Sequence, residues 1–468
     1  MPPILALIAC SSFVLYLLRR ERKLAPDVSP ASWIPTLWML YCGSRPISLW
    51  FTSQSPVMSA GDEAGSPLDR NFLLCLIFIG LIILGRRRVD WTSFKRSNAW
   101  LVALLLFALI SVLWADNSFV SFKRYVRLVG SVLMGLIIFS EPNPNQVLES
   151  VFKRTVYVLI PFSLLLIKYF PGLGVSYGVW SGERMWVGVT IHKNCLGILC
   201  LISEFLLIWA FLRARSLRRS RFVFRKSYPD IIIFLMGLFL MAGNGVSYSA
   251  TCISALGFST MALIMLVWMK TLQRRFGAFV LLIPVALVFL YGFAIPFIGA
   301  SAMKHLFDVL GRDTTLTGRT EIWAEVIPLA LDRPVLGYGY GGFWVDRTVL
   351  GVKEAHSGYV ETMLQLGIIG VLLLLAFCLS FCRETNKSLA RDFWSASFGY
   401  CLLLMLVLHN VSEASFLVSS DFLWATIIFT KIQMGFRSSS QLVRRGIRMA
   451  TQKAFLPSLR LSEPSGQT

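Results

Sequence analysis

The chain has 468 residues, 56% hydrophobic and 15% charged, with a formal net charge of +20; a soluble domain averages nearer ~25% charged. That composition excludes a soluble enzyme on a single anchor. Continuously apolar runs such as 71–85 and 276–298 also exclude an outer-membrane barrel, whose strands alternate apolar and polar residues over ~10 positions.

The expected fold class is all-α: a polytopic helical membrane protein with about 12–13 transmembrane helices and one large extracytoplasmic loop carrying short helices. In chain order the apolar runs fall at 2–18, 30–52, 71–85, 98–114, 126–140, 154–170, 189–211, 229–244, 249–269, 276–298, 360–382, 393–411 and 416–432. Leu7-Ile8-Ala9-Cys10 has the look of a lipoprotein cleavage site, but Arg19 and Arg20 follow the first run instead of preceding it, so a retained span is expected. Most of the 45 basic residues sit in linkers 19–23, 86–96, 153–154, 213–226, 270–275 and 383–391 and in the tail from 431. These alternate along the chain, so the positive-inside rule places them in the cytoplasm, with the N-terminus outside. The expected division is ten helices over 1–298, a large periplasmic loop with the active site over 299–359, three helices over 360–432 and a basic cytoplasmic tail over 433–468.

The net positive charge is thus topogenic and implies no nucleic-acid partner. All nine cysteines fall in or beside apolar segments without a C-x-x-C pair, which supports neither a disulfide framework nor a zinc site.

Cations on the wrong side of the membrane are costly and mark anion sites. Three features qualify: Lys123, Arg124 and Arg127 at the outer start of the fifth run, Lys193 near the outer end of the seventh, and Arg45 inside the second. Two other readings stand beside this one, an inverted threading around Lys123 and a snorkelling Arg45.

The loop near 299–359 opens a helix at Gly318-Arg319-Thr320-Glu321-Ile322-Trp323, continues through Gly337-Tyr338-Gly339-Tyr340-Gly341-Gly342-Phe343-Trp344, and closes on Glu354-Ala355-His356-Ser357. The glycines read either as a turn at the membrane surface or as backbone passing close to a polar ligand beside stacking aromatics. His356, where the loop enters the next helix, reads either as an interfacial cap or as a general base poised near the working pH. The chain has no G-x-x-x-x-G-K-[ST] loop, no Asp-x-Asp pair and no metal-binding histidine spacing, so neither a metal nor another cofactor is expected. Few carboxylates are expected within the spans, Asp230 and Asp421 lying near ends, which speaks against a proton-driven transporter.

At these residues the chain resembles the O-antigen ligase and O-antigen polymerase family of bacterial envelope proteins, especially its exopolysaccharide-polymerase branch. The matching pieces are Trp33-Ile34-Pro35 with Ser44-Arg45-Pro46, Gly65-Ser66-Pro67-Leu68-Asp69-Arg70, Trp114-Ala115-Asp116 with Ser121-Phe122-Lys123-Arg124, and His192-Lys193-Asn194-Cys195-Leu196-Gly197. Further along come Gly318-Arg319, Pro334-Val335-Leu336-Gly337-Tyr338-Gly339, His356-Ser357 with Leu366-Gly367, and Asn410 with Glu413. The resemblance implies a multi-pass glycosyltransferase of the bacterial inner membrane, acting at the periplasmic face on an undecaprenyl-diphosphate-linked oligosaccharide. It also implies membrane lipid and other polysaccharide assembly or export proteins as partners. It further implies His356 and Arg319 as catalytic residues, with Lys193, Lys123, Arg124, Arg45 and Glu413 binding substrate. Two departures stand out: Ser247-Tyr248-Ser249-Ala250-Thr251 lacks the basic residue many ligases carry there, and Ser357 follows His356 where asparagine is common. A polymerase, a ligase acting on a lipid A core, and a flippase or exporter are the competing functions.

Overall fold

The computed structural model describes residues 2–51, 66–178, 182–216, 222–243, 245, 248–272, 278–298 and 319–434. The first part of the expected loop, 299–318, the motif residues Gly65 and Ser247, and the tail from 435 lie outside the described residues.

The chain is all-α. Its helices are α1 (Pro3–Leu24), α2 (Trp33–Cys42), α3 (Pro67–Gly85), α4 (Trp91–Ser111), α5 (Ser118–Phe139), α6 (Pro144–Tyr169) and α7 (Lys193–Ser216). They continue with α8 (Phe222–Ala242), α9 (Ala250–Thr271), α10 (Ala278–Ile298), α11 (Arg319–Asp332), α12 (Gly358–Leu389), α13 (Phe393–His409) and α14 (Phe422–Met434). Among the described residues, the strands are confined to a small antiparallel hairpin ahead of α7, β1 (Val175–Tyr177) and β2 (Arg184–Trp186), with Val175 opposite Trp186.

Eight helices among the described residues are long and apolar enough to cross a membrane: α1, α3, α4, α6, α7, α9, α10 and α12. This is fewer than the thirteen apolar runs, because a run can be apolar for packing without having the ~20 residues of a full crossing. The apolar part of α8, together with α13 and α14, is shorter. Helix α2 has 10 residues and stops at Gly43, and α5 carries Lys123, Arg124 and Arg127 in its first half. Helices α13 and α14 are buried along nearly their whole length, so neighbouring helices rather than lipid explain their composition.

Helix starts are fixed by polar caps that accept otherwise orphaned N–H groups. Asp90 accepts from Ser93 N at 3.0 Å, Asn117 from Val120 N at 3.2 Å and Asp392 from Ser395 N at 3.2 Å. Helix α12 breaks at Gly367, whose φ of 62° and ψ of −166° form a conformation essentially restricted to glycine. The segment after α11 repairs the break. Tyr338 N donates to Leu364 O at 2.9 Å, Gly339 N to Gln365 O at 2.8 Å, and Ile368 N to Pro334 O at 2.8 Å.

One end of the bundle is laced by ion pairs between the basic linkers: Arg20 with Asp230 at 3.3 Å, Arg87 with Glu141 at 2.7 Å, buried Arg154 with Glu21 at 2.6 Å, and Arg213 with Glu149 at 2.7 Å. The expectation of few carboxylates within the spans needs correction. Glu204 lies buried in the middle of α7 against Gly237, and Glu361 lies in the first turn of α12.

Candidate active site

At the other end the starts of α7, α9, α11 and α12 converge on the turn between α13 and α14. Asn194 donates Nδ2–H to Glu413 Oε1 at 2.7 Å, and Arg319 meets the same oxygen at 2.5 Å. Thr251 and Ser412 share a hydroxyl contact of 2.7 Å. Gly358 N donates to the carbonyls of Asn410 and Glu413, both at 2.9 Å. Asn410 shapes the turn by accepting Ser415 N and Phe416 N on its side-chain oxygen. Helix N-termini carry partial positive charge, so their convergence favours an anion.

His356 stands in this cluster. Its Nδ1 lies 2.9 Å from Glu354 Oε1 and 3.8 Å from Glu413 Oε2, close enough for ion pairing. Burial lowers the imidazole's proton affinity, but the two carboxylates outweigh it and raise the pKa to about 10. The ring is therefore a cation at neutral pH. This departs from the expectation of an imidazole poised near the working pH, because that expectation rested on the interface alone and ignored the charges the fold brings in. Glu413 is pushed the other way: burial raises its pKa, but contact with His356 and the Arg319 charge bring it down to about 2. His192 lies nearby and is lowered, chiefly by burial. The donor atoms of Glu354, His356 and Glu413 lie within 4.8 Å of one another, a set able to hold a metal ion, although Arg319 and Asn194 already occupy one oxygen of Glu413.

Of the sequence-derived site residues, the structure gathers His356, Arg319 and Glu413 into direct contact and places Lys193 beside Asn194 at the start of α7. Arg124 is tied to the glycine-rich turn, donating to Gly341 O at 2.6 Å, and Lys123 lies over the Phe119 ring at 4.7 Å. Arg45 stands apart from the cluster. It is buried, with its guanidinium donating to the carbonyls of Leu173 at 2.5 Å and of Gly188 and Thr190 at 3.0 Å, so it closes the hairpin segment with its charge turned to protein. Tyr338, Tyr340, Phe343 and Trp344 are buried as well, so the aromatics of the glycine run pack the loop against α5 and α12. Asn194 and Glu354 were not among the expected site residues, although the segments His192-Lys193-Asn194 and Glu354-Ala355-His356-Ser357 contain them.

These features define a multi-pass helical membrane protein with a charged polar site at one end of its bundle. Residues 231–375 match the O-antigen ligase family. Over 338 residues, 68% of this chain and 71% of the relative, the chain is 23% identical to the exopolysaccharide production protein ExoQ of Rhizobium meliloti. The chain is O-antigen ligase-like, and its likeness lies on the exopolysaccharide side of that family.

Proposed function

We propose that this protein is a glycosyltransferase that joins oligosaccharide units carried on undecaprenyl diphosphate into an exopolysaccharide at the periplasmic face of the inner membrane. A polysaccharide ligase or polymerase role follows from the family match and from the name of the relative. The observation that carries the finer reading is the Arg319–Glu413–His356–Glu354 cluster at the meeting of four helix starts. The alternating basic linkers, paired with carboxylates at the opposite end of the bundle, support an outward-facing cluster.

In the reaction the acceptor hydroxyl oxygen bonds to the anomeric carbon as the bond from that carbon to the diphosphate oxygen breaks. The lipid diphosphate leaves with the electron pair, stabilised by Arg319, Lys193 and the His356 imidazolium. The hydroxyl proton passes to the Glu354 carboxylate, whose orientation His356 holds. His356 thus acts as the charged partner of the base rather than as a neutral base, and no metal is required for charge balance. Lys123 and Arg124 line the approach from α5.

The test is the lipid-linked pool that builds up when the gene is deleted. Single repeat units identify a polymerase, long chains a ligase acting on a lipid A core, and units trapped on the cytoplasmic face an exporter. The family description itself, O-antigen ligase, makes the ligase the reading to separate first.

A further inference from the structure

His356 has a φ of 47°, a left-handed conformation that residues with a Cβ seldom adopt. What holds it there is visible in the peptide before it. Ala355 N donates to Glu361 Oε2 at 3.0 Å, and Ala355 O accepts from Trp323 Nε1 at 2.9 Å. The second oxygen of Glu361 accepts from Trp344 Nε1 at 2.6 Å and from Gln365 Nε2 at 2.5 Å. Gln365 in turn accepts Gly341 N on Oε1 at 2.8 Å, and Gly341 O accepts from Arg124. Glu361 is 6% exposed, and both of its oxygens accept hydrogen bonds from these donors.

We propose that Glu361 is a positioning residue for the transfer site: its carboxylate fixes the turn that presents Glu354 and His356, and ties it through Gln365 and Gly341 to Arg124 on α5. The inference rests on the reading of Glu354 and His356 as the proton-handling pair. The chemistry demands a carboxylate because three N–H donors converge on the two oxygens. An amide in its place turns an NH2 either toward Ala355 N–H, releasing the turn, or toward Trp344 and Gln365. If Gln365 flips to relieve that clash, its own NH2 faces Gly341 N–H. The donor–donor conflict moves but does not vanish.

The experiment compares Glu361→Gln with the unaltered protein in membranes at matched protein levels, using as donor the lipid-linked saccharide extracted from the deletion strain. Loosening the turn should lower kcat by about 10²-fold and leave the donor KM within about twofold, because Arg319 and Lys193, which hold the diphosphate in the ground state, take no part in the Glu361 hydrogen bonds. If Glu361→Gln fails to accumulate, Trp344→Phe decides. It keeps an aromatic side chain but loses the indole N–H and with it one hydrogen bond to Glu361, so a lower kcat at unchanged KM supports the role and an unchanged kcat overturns it. Full activity of Glu361→Gln beside an inactive His356→Ala removes the positioning role alone, whereas full activity of His356→Ala overturns the site reading and this inference with it.

Discussion

Arg319, Glu413 and His356 form a chain of opposite charges whose proton affinities are set by one another. The His356 pKa is raised to about 10, so its contribution to stability is fully present below the unfolded value near 6.5 and is lost as pH rises through about 10. Glu413 is lowered to about 2, so its contribution is present above the unfolded value near 4.5 and is lost as pH falls through about 2. Thermal unfolding of the purified protein should therefore show a His356-dependent loss of stability on the alkaline side, absent from His356→Ala, and a Glu413-dependent loss on the acid side, absent from Glu413→Gln. Turnover should decline toward pH 10 if the imidazolium is required; a rise through that range would restore the neutral ring as the base. Replacing Arg319 by Lys keeps the charge but loses the planar fork. Transfer should fall by about 1–3 kcal/mol of transition-state stabilisation, read as kcat/KM at an unchanged protein level.

The decisive elements are the broken helix α12 and the turn that patches it. Gly367 meets Val335 O and C so closely that an added Cβ would lie 2.3 Å from that oxygen, and its φ and ψ alone would cost another residue about 1–3 kcal/mol. Gly367→Ala should thus reduce the inserted protein and its melting temperature, while Gly85→Ala, at a position where a Cβ meets nothing within 4 Å, should be silent. These elements also mark where the sequence was legible. Helix α7 and helix α12 announced themselves as apolar runs with a polar start. His356, Arg319 and Glu413 were legible as a set through the family resemblance, although they lie far apart in the chain. Periodicity carries no information about what a buried polar side chain touches, so the commitment of Arg45 to hairpin carbonyls and the inward packing of Tyr338 and Trp344 became visible only in the fold. The raised proton affinity of His356 was hidden in part for the same reason: beside Glu354, two positions before it, it depends on Glu413, 57 positions away in the chain.

The whole molecule has two ends of unlike character, one ion-paired by basic linkers and one gathering the polar cluster. In a cysteine-free background, Lys353→Cys should react with a membrane-impermeant thiol reagent in cells whose outer layer is permeabilised, and Arg215→Cys only after lysis; labelling of Arg215→Cys in unlysed cells would invert the orientation. The most direct test of the central claim, that the cluster around His356 performs the transfer, is the lipid-linked saccharide pool of a deletion strain carrying His356→Ala at wild-type protein level. The expected result is the same accumulation of undecaprenyl-diphosphate-linked units as in the deletion itself and no polymer, because the charged partner of the base is gone. A pool as small as in the wild type, with polymer made at a normal rate, would contradict it.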